Sequence, residues 1–204
     1  LFRSKIIVAH REPADPIHWA DPVQLAQFAM AETTAGLLRH KFREIEKPLL
    51  YEAIRTLAVN PGGRARAALA HVLENDLTRE DVEALRPVLV DAVRTASPAD
   101  TMFRNVVRMS ALKALAKYRC EEAAGLAVEF ARTQGGHGSE SRTGELMKIV
   151  TGYGRAARGQ VPELRKLIAE FDDQVARRQF PGGELNQRRT DAVREAIRAI
   201  EAAP

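Results

Sequence analysis

Apolar residues fall at helical spacing through most of this chain. Leu50, Ala53, Ile54 and Leu57 stand at i, i+3, i+4 and i+7, and Leu164, Leu167, Ile168 and Phe171 reproduce that spacing far downstream. Further stripes run through Ala65, Ala68, Leu69, Val72 and Leu73, through Leu146, Ile149, Val150 and Tyr153, and through Val193, Ala196, Ile197 and Ile200. Each predicts an amphipathic helix with one buried face. Residues 101–118 carry two stripes, Phe103, Val107, Ala114 and Tyr118 on one side and Met102, Val106 and Met109 on another. A helix apolar on two sides is expected to lie between neighbours.

The helices are related to one another. The segment from Pro48 to Thr56 (PLLYEAIRT) returns 39 residues later from Pro87 to Thr95 (PVLVDAVRT), identical at five of nine positions. Weaker copies run from Gly125 to Thr133 and from Pro162 onward. Proline suits the first helical position, because its missing N–H has no intrahelical partner there and its φ is already helical, so each copy reads as a helix start. Breakers follow at Asn60-Pro61-Gly62-Gly63, Ser97-Pro98, Gly135-Gly136 and Phe180-Pro181-Gly182-Gly183, and a second helix follows each breaker. The predicted units are helix pairs near 47–75, 87–118, 121–153 and 161–202, with Thr78 to Leu85 a separate short segment capped by Thr78 and Asp81. No pair can bury its apolar face alone, so the pairs must stack. The expected fold is all-α, a right-handed α-α superhelix of about four helix pairs. A capping helix opening at Asp21-Pro22 and carrying Val23, Phe28, Leu37 and Leu38 is expected to precede them.

Over residues 47–202 the unit resembles a HEAT repeat. The run from Gly154 to Arg165 (GRAARGQVPELR) is similar to the inter-repeat linker of bacterial HEAT-like proteins of the PBS-lyase type. The resemblance implies a HEAT-like solenoid domain over 21–204, the C-terminal region of a larger bacterial protein, with residues 1–20 an N-terminal extension or linker stub. Ser4 to His10 reads as a strand or a short helix, and Pro13, Pro16 and Pro22 mark the linker. The period is slightly short for HEAT repeats, and Thr78 to Leu85 interrupts it. Such a resemblance speaks for architecture and carries no activity.

Composition agrees with helix. Of 204 residues, 45% are hydrophobic and only 5% aromatic, which disfavours strands built from aromatic and β-branched residues. Cys120 is the single cysteine, so neither an intramolecular disulfide nor a multi-cysteine zinc site is available. No apolar run approaches the roughly 20 residues of a membrane span, and the charged N-terminal stretch does not suit a signal peptide. The chain begins at Leu1, which reads as a fragment; the cytoplasm is the default compartment, with an upstream targeting segment left open.

Charge changes the picture further. The formal net charge is +4, and Arg104, Arg108, Lys113, Lys117 and Arg119 occur with no acid between Asp100 and Glu121. The second helices also carry Arg64, Arg66, Arg142, Lys148, Arg188, Arg189, Arg194 and Arg198. In HEAT-like pairs these helices usually line the concave surface, which gives a candidate basic binding face of Arg66, Arg104, Arg108, Arg142, Arg188 and Arg194. Such a face would suit an acidic protein or a nucleic-acid backbone. Ordinary solvating charge, partly paired with Glu145, Asp191 and Glu195, is the favoured account, since +4 is modest for a nucleic-acid binder. Aromatic residues to stack on bases are nearly missing, with the sole tryptophan, Trp19, well outside these helices, which argues against single-stranded targets.

The other candidates for chemistry fall away. Gly135 to Gly144 (GGHGSESRTG) precedes a helix but has Ser141 and Arg142 where a phosphate loop needs Gly-Lys, and no strand leads into it. His10, His18, His40, His71 and His137 show no metal-ligand spacing. Asp172 and Asp173 diverge by about 100° on a helix and cannot converge on one substrate. Cys120, beside Lys117 and Arg119, sits between helices and is expected to be a small packed residue. No catalytic, cofactor or metal residue is therefore assigned. The expected function is a non-catalytic protein-interaction or scaffolding module, its partner another protein or an upstream domain. The alternative is a DNA-binding protein with the shape of a DNA alkylpurine glycosylase.

Overall fold

The computed structural model describes residues 33–34, 36–38, 40–58, 63–95, 106–134 and 139–204, with the backbone alone for 63–68 and 139. Every regular element among them is helical. The chain divides after Tyr118 into two compact units.

In the first unit, helical residues near Leu38 and a short 3₁₀ turn, Phe42–Glu44, lead into α1 (Lys47–Ala58). There follow α2 (Gly63–Asn75), α3 (Arg79–Arg94) and α4 (Val106–Lys117). The predicted stripe of α1 is buried as expected, with Leu50 and Ile54 fully covered. First helix packs on first helix, α1 on α3, and second on second, α2 on α4, while α3 lies along α4 within its own pair. This is the packing that stacked pairs require. In α4 every residue from Val107 to Leu112 is buried, in keeping with the two stripes read from the sequence, although Val106 is 38% exposed.

Pro87 does not open a helix, and Thr78 to Leu85 is not a separate segment: α3 runs unbroken from Arg79 with Pro87 in its interior. Thr78 supplies the N-terminus through a full capping box, its Oγ1 accepting from the Asp81 N–H while Asp81 accepts from the Thr78 N–H. Burial of Val82, Leu85 and Leu89 then carries the helix on through the proline, which is exposed. Tertiary packing outweighs the cost of about 3 kcal/mol that an interior proline carries.

The second unit contains α5 (Ala123–Arg132), α6 (Ser139–Gly152), a 3₁₀ linker (Gly154–Gln160), α7 (Val161–Ala176) and α8 (Glu184–Ala202). Here Pro162 does occupy the first turn of its helix. Again first helix meets first (α5 on α7) and second meets second (α6 on α8), the latter being the most extensive contact. Phe130, Phe171, Leu146, Leu164 and Val193 form the buried centre. The turn before α8 needs its glycines. Gly183 adopts φ 67°, which disfavours L side chains, and a Cβ on Gly182 would lie 3.1 Å from Val175 Cγ1. The segment from Ser4 to His10, the opening of the capping helix at Asp21, and the breakers at 60–62, 97–98 and 135–136 lie outside the described residues.

Candidate functional site

The candidate basic face is the natural place to look for function, so the position of each arginine matters. Arg104 lies outside the described residues, as does the side chain of Arg66 in α2. Arg108 is only 4% exposed, and its Nε donates to the Val93 carbonyl at 2.6 Å. Arg142 is half-buried and donates from Nε to Gln134 Oε1 at 2.6 Å. Arg188 and Arg194 are exposed on α8, but each is ion-paired within that helix, Arg188 to Glu184 and Arg194 to Asp191 at 2.8 Å. Arg66 and Arg108 belong to the first unit, and Arg142, Arg188 and Arg194 to the second. Lys113, read as part of a wholly basic helix, pairs with Glu74 of α2 at 3.1 Å, and Ser110 donates to the same carboxylate.

A pattern emerges that the sequence did not announce: arginines serve helix C-termini. Beyond Arg108 on the end of α3, Arg79 donates to the Tyr118 carbonyl just past α4 at 3.3 Å. In the second unit Arg189 reaches the Gln134 carbonyl just past α5 at 3.4 Å. Arg119 reaches the Gly152 carbonyl at the end of α6, and Arg158 the Ala203 carbonyl past α8 at 2.7 Å. The last carbonyls of a helix have no intrahelical partner and carry the negative end of its dipole, so a guanidinium there is worth about 0.3–1 kcal/mol. Of these five arginines, Arg108 and Arg189 are buried, whereas Arg79, Arg119 and Arg158 stay exposed.

Two of these arginines share a further device. Arg79 lies over the Tyr118 ring at 5.3 Å, and the Tyr118 hydroxyl donates to the Leu77 carbonyl at 2.7 Å. In the second unit Arg119 lies over Tyr153 at 5.5 Å, and Tyr153 donates to the Cys120 carbonyl at 2.7 Å. Each tyrosine closes the open end of its helix pair. Burial, followed by the charge of Cys120, pushes the Tyr153 hydroxyl up to about 12.

Two clusters contain buried ionisable groups. Asp81 is fully buried; it accepts from Tyr51 at 2.7 Å, from the Thr78 N–H at 2.9 Å and hydroxyl at 2.8 Å, and from Lys47. Burial alone would raise its pKa, but the donors, led by Lys47, outweigh that and hold it at about 2. Tyr51 is raised to about 12 by burial and by this carboxylate. A carboxylate so fully satisfied is a poor proton acceptor and a tyrosine so shifted a poor nucleophile, so the cluster is suited to holding α1 against α3.

The second cluster centres on Arg189, fully buried with its guanidinium 4.0 Å from the centre of the Phe171 ring and 3.4 Å from that of Phe180. Burial pulls its pKa down to about 10. Its hydrogen-bond partners are oxygens of Gln134, Phe171, Gln174 and Asn186.

Among the described residues no group of three His, Cys, Asp or Glu side chains is placed to hold a metal ion, and no helix is long and apolar enough to cross a membrane. His71 is exposed beside Asn75, Cys120 is buried, and Asp172 and Asp173 engage Asn186 and Arg177 separately. A shallow depression of ≈ 470 Å³ on α8 is lined by Asp191, Arg194, Ile197 and Arg198. Its lining holds one acid and two arginines, of which Arg194 is paired with Asp191. Comparison with protein-family models, with curated protein sequences and with solved structures found no match.

Proposed function

We propose that the chain is a non-catalytic interaction or scaffolding module, a HEAT-like α-solenoid whose helix pairs offer charged outer faces to a protein partner or to an upstream domain. The observation that carries this reading is the like-on-like packing in each unit, α1 on α3 with α2 on α4, and α5 on α7 with α6 on α8. Helix pairs packed this way keep their outward faces free for contact. The polar clusters support it from the other side, because Asp81 and Arg189 are engaged in holding helices together. On α8, Glu184, Asp191 and Glu195 interleave with Arg188, Arg194 and Arg198, a mixed surface that favours a protein over a nucleic-acid backbone.

The test is reciprocal affinity purification of the tagged chain after cross-linking in its native host, beside the double variant Arg194→Glu, Arg198→Glu. A stoichiometric partner recovered from both directions and weakened by the variant is expected; recovery of no such partner counts against the reading. Labelled duplex DNA is the second arm. Binding that is tight at about 50 mM salt and falls by orders of magnitude at about 200 mM would put the DNA-binding alternative in its place.

A further inference from the structure

The two helix pairs of the second unit meet most extensively where α6 packs on α8, and directional bonds to a buried group fix such a contact more sharply than apolar packing does. Arg189, on the first turns of α8, reaches both pairs at the end where each pair turns. Its Nη1 donates to the Gln134 carbonyl past α5 at 3.4 Å and to Gln174 Oε1 on α7 at 2.9 Å. Its Nη2 donates to the Phe171 carbonyl at 3.4 Å and to Asn186 Oδ1 at 2.8 Å. Phe171 and Phe180 cover both faces of the guanidinium.

The surrounding bonds cross in the same sense. Gln174 donates to the Arg132 carbonyl at 3.4 Å, and Arg132 pairs with Glu163 and Glu170 of α7. By contrast the clasps at the opposite end, Tyr153 to Cys120 and Arg158 to Ala203, each close one pair on itself.

A guanidinium sealed from water without a directly paired carboxylate is a costly choice for a core, where a leucine or methionine would pack well. Asp172, which accepts from Asn186 at 2.9 Å, and Glu140 act on it through their charge alone. Such a group is retained where it fixes one arrangement among several that apolar packing would accept. We infer that Arg189 is a lock: it pins the α5–α6 pair to the α7–α8 pair at their turn ends, so that its release lets the pairs shift about the 154–160 linker. The shape offered by this unit then depends on this side chain, which crosses to the other pair through the Gln134 carbonyl, together with the Arg132 pairs to Glu163 and Glu170.

Hydrogen exchange on the full chain tests this with Arg189→Met, which keeps length and an apolar stem between the two phenylalanines. The expected result is unchanged helical content with amides of Phe130 to Gln134 and of the first turns of α8 exchanging about tenfold faster or more. Segments 119–123 and 152–161, at the clasp end, should keep their protection. Tyr153→Phe should do the reverse, loosening the clasp end and sparing the turn end. If Arg189→Met does not fold, Gln174→Leu removes one arm of the lock, and the same local pattern is expected. An even rise across 119–204, or no change at the turn end, overturns the inference.

Discussion

At the residue scale, what separates an arginine that can meet a partner from one that cannot is its phase relative to the apolar stripe of its helix. Arg189 lies in register with Val193, Ala196 and Ile200, and Arg108 with Ala111, Leu112 and Leu115; both are buried. Arg194 and Arg198 lie out of that register and are exposed. The same logic makes Asp81 a stability element. Its pKa is lower in the folded chain, about 2, than the ordinary 3.8, so the folded state binds fewer protons and gains stability above pH 4 that disappears as pH falls to 2. The shift corresponds to about 2 kcal/mol. Asp81→Asn should therefore cost about 2 kcal/mol in urea unfolding at pH 7, and the gap from the parent should shrink towards zero near pH 2. A gap independent of pH would mean that the carboxylate's charge is not what stabilises the fold.

At the element scale, α3 shows local and tertiary preferences in competition. Its capping box fixes where it starts, and Thr78→Ala should lose about 1 kcal/mol. Pro87 removes one intrahelical hydrogen bond at an exposed interior position, so Pro87→Ala should raise stability by about 1–3 kcal/mol, seen as a higher Tm. A lower Tm would place Pro87 in a contact that the exposed ring does not indicate. The pair of variants also separates the two signals that the proline motif mixes. In α7 Pro162 marks a helix start, whereas in α3 the same repeat motif sits eight residues into a helix already begun at Arg79.

At the scale of the whole molecule, the boundary at Tyr118 falls between two tyrosine clasps, each of which belongs wholly to its own unit. The second unit has its own buried centre in Phe130, Leu146, Leu164, Phe171 and Val193. Residues 119–204 expressed alone should accordingly give a helical circular-dichroism spectrum and a cooperative thermal transition. A disordered product would show that this core needs the rest of the chain. The balance of charge belongs to the same scale. A net +4 with pI near 9.5 suggests a basic surface, yet Arg108 and Arg189 are buried on helix-end carbonyls, while Arg79, Arg119 and Arg158 bind such carbonyls and stay exposed.

Periodicity alone determined that this chain forms paired helices and which faces they bury, because helical spacing of apolar residues and the demand to cover them are local properties. It also determined the Thr78 cap, whose two partners are three residues apart. What it could not determine is which distant groups meet. The Lys47–Tyr51–Asp81 cluster joins residues 30 and 34 positions apart, and the surroundings of Arg189 draw on α7, α8 and the turns beside them. Nor could residue type distinguish a surface cation from a buried one. That depends on where a neighbouring helix ends and exposes its carbonyls, and only tertiary packing fixes that position.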